Sequence, residues 1–89
     1  MILNEFKTEI EKIDKTFKSF KIYGDYFKVH EQCPTYISLK IKNEKYSIIF
    51  VKGENIILRK WSQRGYSIKE IMQDTAEKVL LKIKQLNRE

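Results

Sequence analysis

From Tyr36 to Lys42 the chain reads Tyr-Ile-Ser-Leu-Lys-Ile-Lys, with Ile37, Leu39 and Ile41 on alternate positions. A period of two is what a strand with one buried face requires, because successive side chains leave opposite sides of the pleat. On either side of the strand region the period changes. Leu3, Phe6, Ile10, Ile13, Phe17 and Phe20 follow one another at intervals of 3, 4, 3, 4 and 3, which is one apolar stripe along a helix. Glu5, Glu9 and Glu11 lie toward its start and Lys15 and Lys18 toward its end, as the helix dipole favours. Ile68, Met72, Thr75, Val79, Ile83 and Leu86 form a second stripe, and Ser67-Ile-Lys-Glu70 before it has the form of a capping box. The spacing therefore predicts a C-terminal helix beginning at Ser67. The first stripe has two uses: to cover the chain's own sheet, or to form the short seam of a dimer.

Between the stripes, turn residues divide the chain into strands. Tyr26–Glu31 follows Gly24-Asp25, and Cys33-Pro34 ends it, since proline cannot donate to a ladder. Tyr36–Lys42 comes next, then Lys45–Lys52 and Asn55–Trp61, with Gly53-Glu54-Asn55 as a turn. A two-residue loop at Asn43-Glu44 would set Ile41 opposite Tyr46, Leu39 opposite Ile48 and Ile37 opposite Phe50. Two amphipathic helices need one apolar sheet face to cover. The expected fold is α+β. It is a two-layer single domain over residues 1–89, with an N-terminal helix, an antiparallel meander of three to four strands and a long C-terminal helix.

The reverse face of that sheet would show Tyr36, Ser38, Lys40, Ser47, Ile49 and Val51. Ile49 and Val51 make it more apolar than solvent requires. Either a few apolar residues simply point outward, as in many small proteins, or Tyr36, Ile49 and Val51 meet a protein partner or a second copy of the chain.

With 89 residues and 42% hydrophobic content, the chain can bury a small core. Its longest apolar run, Ile48–Val51, is far below the roughly 20 residues a membrane helix needs. The first residues are charged and lack a signal-peptide apolar segment, and Cys33 is the single cysteine. A cytoplasmic protein without disulfides or membrane attachment is expected. His30 and Cys33 have no further His or Cys to complete a metal set, so no metal site is expected. No nucleophile–base–acid set and no glycine-rich phosphate loop occur, which leaves no catalytic residue and no cofactor to nominate.

The formal net charge is +6. Lysine outnumbers arginine 15 to 3, and Ile occurs 13 times against a single Ala, a bias that AT-rich coding writes into any protein. The placement of charge says more than the total: residues 2–20 are neutral, 67–89 carry +1, and 21–66 carry +5. The aromatic and basic residues Arg59, Lys60, Trp61, Arg64, Tyr66 and Lys69 gather at the end of the last expected strand, the loop after it and the expected helix start. Arginine forks suit phosphate, Trp and Tyr can stack on bases, and a helix N-terminus welcomes an anion. The structural alternative is a buried Trp61 with Arg59 or Arg64 stacked on it.

Two families of RNA-associated proteins have a similar order of elements. Ser67-Ile-Lys-Glu-Ile-Met-Gln-Asp-Thr-Ala-Glu-Lys-Val-Leu80 resembles the last helix of double-stranded-RNA-binding domains. However, Ile68-Lys69 stands where that family has a lysine pair, and its Gly-Pro-x-His loop is absent. The run Tyr36–Trp61 is similar in rhythm to the strand meander of RelE-like mRNA-cleaving toxins, a resemblance that implies catalysis by Arg, Lys and Tyr. The expectation drawn from the residues is a small basic nucleic-acid-binding accessory protein, for DNA or RNA, that is not an enzyme. The alternative is a protein-interaction module, such as a regulator or inhibitor from a mobile element, dimeric through its outer sheet face. An RNA-cleaving toxin is third.

Overall fold

The computed structural model describes residues 2–21, 35–50, 55–62 and 67–89. The strand expected over Tyr26–Glu31, with His30 and Cys33, lies outside these residues. So do Val51, Arg64 and Tyr66.

Helix α1 spans Leu3–Ile13 and buries Phe6 and Ile10. Strands β1 (Lys18–Lys21), β2 (Thr35–Ile41), β3 (Glu44–Phe50), β4 (Ile56–Trp61) and β5 (Ile68–Asp74) follow, and helix α2 (Ala76–Arg88) closes the order. The strands form one sheet in chain order, β1-β2-β3-β4-β5, with every neighbouring pair antiparallel. The α+β architecture and the meander are as expected, with five strands among the described residues in place of three to four.

Both helices lie on one face. Phe6 and Ile10 of α1 and Val79, Leu80 and Ile83 of α2 join Ile37, Leu39, Ile41, Tyr46, Ile48, Phe50, Ile56 and Leu58 in one buried cluster. Phe6 meets Phe50 with ring centroids 5.2 Å apart and planes tilted by 52°, a favourable offset for two quadrupoles. Glu9 of α1 bonds Lys12 at 3.2 Å and reaches Lys84 of α2 at 3.3 Å. Hydrogen bonds from Lys12 and then Lys84 hold its carboxyl below the ordinary glutamate value.

Three expectations need correction. The first apolar stripe does not stay helical to Phe20, because α1 stops at Asp14. There the backbone turns extended, at φ −140° and ψ 103°. The Asp14 carboxylate accepts from the Thr16 N–H at 2.9 Å, from the Thr16 hydroxyl at 2.7 Å and from the Lys40 N–H at 2.8 Å. A short acidic side chain that bonds the backbone two residues on stabilises a turn in competition with the helix. Phe17 then packs against the core cluster, and Phe20 leaves on a strand with 52% exposure.

The second correction concerns register. Lys42 (φ 52°) and Asn43 (φ 67°) are the turn residues, so Ile41 faces Glu44, Leu39 faces Tyr46 and Ile37 faces Ile48. Positive φ at both central positions is the geometry that follows strand twist in a two-residue hairpin. The shift is two residues, which leaves every side chain on its expected face.

The third is the C-terminal helix. Ser67 caps nothing: Ile68–Asp74 is an edge strand, and α2 begins at Ala76 with Thr75 as its N-cap residue. Ser62 N–H donates to the Ser67 carbonyl at 2.9 Å, and Ser67 N–H donates to the Ser62 hydroxyl oxygen at 3.2 Å. The residues Ser67 to Glu70 therefore close a hairpin. The reason is tertiary: β4 carries backbone donors and acceptors along its free side, and pairing with Ile68–Asp74 satisfies them. Leu58 faces Met72, and a bulge between Leu58 and Arg59 adjusts the ladder.

Candidate nucleic-acid interface on the outer sheet face

The register sorts the basic residues by face. Lys18 stands opposite Ser38, Ser38 opposite Ser47, Ser47 opposite Arg59, and Arg59 opposite Glu70. These residues form one row across the whole sheet on the side away from the helices. Beside it Lys40 stands opposite Lys45, and Trp61, two positions beyond Arg59, lies on the same face. Lys45 Nζ sits over the Trp61 ring, 5.0 Å from its centroid. On the other side of the row, Phe20 stands opposite Tyr36, Tyr36 opposite Ile49, and Ile49 opposite Ile57. Phe20 and Tyr36 stack with centroids 4.9 Å apart at 31°. The outer face thus has a cationic half and an aromatic–apolar half, divided by the row from Lys18 to Glu70.

The expected patch is split by this arrangement. Arg59 and Trp61 share the outer face. Lys60 points the other way: its Nζ lies 2.9 Å from Glu44 and 5.9 Å from the Tyr46 ring centroid. The hydrogen bond with Glu44 raises the Lys60 pKa, and the same bond lowers that of Glu44. Burial is the main reason the Tyr46 hydroxyl is pushed up. Lys69 is the cross-strand partner of Lys60 on the edge strand, so it opens no helix and the anion site expected at a helix start there is absent. Tyr36 is half-buried on the outer face. Ile49 also lies on that face, but only 3% exposed.

The residues that sequence reasoning left out of the patch are Lys18, Lys40, Lys45 and Ser47. Lys18 was hidden by the over-long helix. Lys45 was legible, since it stands two positions from Ser47 and shares its face. Lys18, Lys40 and Lys45 also line a recess of about 380 Å³ with Asp14, Thr16, Ser38 and Leu39.

Among the described residues of this face, two buried polar atoms lack a hydrogen-bond partner: Ser47 Oγ and Trp61 Nε1. Ser47 as a whole is 1% exposed. Among the described residues no group of three or more His, Cys, Asp or Glu side chains could hold a metal ion, and no helix is long and apolar enough to cross a membrane.

The fold and this face define an α+β meander domain whose two helices cover one side of the sheet. No family model, curated protein or solved structure matches the chain.

Proposed function

We propose that this protein binds single-stranded nucleic acid on the outer face of its sheet, with phosphates along the cationic half and a base on the aromatic half. The observation that carries the proposal is the alignment of Lys18, Lys40, Lys45 and Arg59 across four strands, with Asp14 beside the first three and Glu70 opposite Arg59 as carboxylates among the described residues. Backbone binding needs cations spread along a surface and not tied up in ion pairs. The neighbouring Phe20, half-exposed and stacked on Tyr36, offers a π-face of the kind that base stacking uses.

The test is affinity for an unstructured oligonucleotide against salt. Log K should fall linearly with log salt, and Lys40→Ala and Lys45→Ala should each lower the slope by about one unit. Phe20→Ala should weaken binding by about 1–3 kcal/mol at fixed salt without changing the slope. A salt-independent affinity would remove the phosphate reading.

A second reading also draws on Phe20. An aromatic pair of exposed Phe20 and half-buried Tyr36 beside Ile49 and Ile57 suits a protein partner or a second copy of the chain. Sedimentation of wild type and Phe20→Lys would favour it if the wild type were dimeric and the variant monomeric.

A further inference from the structure

The two unpartnered polar atoms belong to neighbouring strands of the outer face, Ser47 in the dividing row and Trp61 two positions beyond its cross-strand partner Arg59. Ser47 is flanked across the strands by Ser38 and Arg59, and along its own strand by Lys45 and Ile49. Trp61 follows Arg59 by two positions, and Lys45 lies over its ring. The indole N–H is a donor only, and the serine hydroxyl can donate as readily as accept. Leaving both without partners in a buried setting costs stability that apolar replacements would avoid. Such a cost in an otherwise consistent sheet is expected where a ligand completes the bonding.

We infer that Ser47 Oγ and Trp61 Nε1 form a subsite for one phosphate group, with their two donors aimed at its oxygens and Lys45 and Arg59 supplying charge. This deepens the nucleic-acid reading and rests on it. The two cations beside these atoms are accessible: Lys45 is exposed and Arg59 is half-buried. A cation over a ring at the surface is weakly held, so a phosphate can draw Lys45 off the indole and onto itself. The recess lined by Lys18, Ser38, Lys40 and Lys45, with the Asp14 carboxylate also in its wall, shares Lys45 with the subsite. Without phosphate, Lys45 occupies the place where a base would stack on Trp61. Trp61 acts through its N–H, and stacking falls to Phe20.

Trp61 is the single tryptophan of the chain, so one indole N–H resonance reports on the subsite. Titration with inorganic phosphate should move that resonance along a saturating curve. Oligonucleotides with and without a 5′-phosphate then tell a terminal phosphate from a backbone one by which of them moves it. Ser47→Ala and Trp61→Phe should each weaken phosphate and oligonucleotide binding by about tenfold, the scale of one hydrogen bond to a charged acceptor. The diagnostic result is that Ser47→Ala does so with an unchanged or higher Tm, because it removes an unpaired buried hydroxyl. A lower Tm with unchanged affinity would make Ser47 a packing residue and overturn the assignment. An indole resonance that ignores both phosphate and a tightly bound oligonucleotide would sink the subsite and leave the outer-face reading intact. A resonance that follows phosphate while no oligonucleotide binds would keep the subsite and remove the nucleic-acid reading.

Discussion

Asp14 performs three tasks with one carboxylate. It ends α1, it shapes the turn at Thr16, and it bonds the Lys40 N–H of β2. Burial would push its pKa up, but the hydrogen bonds from Thr16 and Lys40 outweigh burial and hold it below the ordinary aspartate value. A lowered folded pKa means stability that is present above the unfolded value, about 3.9, and is lost as pH falls through the folded one. Asp14→Ala should therefore cost about 1–2 kcal/mol at pH 7. The gap between variant and wild type in urea unfolding should narrow as pH falls below about 4. A gap as wide at pH 2 as at pH 7 would mean that the carboxylate's charge is irrelevant.

Among the elements, β5 shows where local patterning stops being decisive. Ile68, Met72, Thr75 and Val79 keep a helical spacing, yet Ile68–Asp74 is a strand. The helical residues of that stripe are the later ones, and Val79 and Ile83 are buried as expected. No local feature of Ser67-Ile-Lys-Glu70 could reveal that β4 needed a partner, since that requirement exists only once the sheet is assembled. By contrast, β2 and β3 were legible down to the face of each side chain. Their alternation is strict, and an error of two residues in the turn preserves faces. The candidate interface was half legible for the same reason. Arg59 and Trp61 lie on a well-read strand, while Lys18 needed the end of α1 to be placed correctly. Because Ser67 acts through its backbone, Ser67→Ala should change stability by less than about 0.5 kcal/mol in thermal or urea unfolding. A loss near 1 kcal/mol is what a helix cap would give.

For the molecule as a whole, one layer of helices over one layer of strands leaves the two sheet faces with separate duties. The inner face carries the apolar cluster. The outer face carries charge, so substitutions of Lys40 or Lys45 should alter binding with little effect on folding. Ser47 and Ile49 are the exception, because β3 is central and buried on both sides from Tyr46 to Phe50. Stability and binding are coupled through that strand.

The strand order, which repeats the chain order without a crossover, also bears on how the molecule assembles. From β2 to β5 each strand closes on its immediate neighbour, so that part of the sheet can grow by short loop closures of low contact order. The contact between α1 and α2 is different in kind, since Glu9 and Lys84 meet across almost the full length of the chain. Such a closure belongs late on the folding path, after the strands have brought the helices within reach. A residue whose contacts form after the rate-limiting barrier affects escape from the native state and not entry to it. Leu80→Ala and Ile83→Val on α2 should thus accelerate unfolding in stopped-flow experiments and leave the refolding rate nearly unchanged. Ile48→Val at the centre of the sheet should slow refolding. The helices should then act as a latch, setting how long the folded state lasts rather than how fast it is reached.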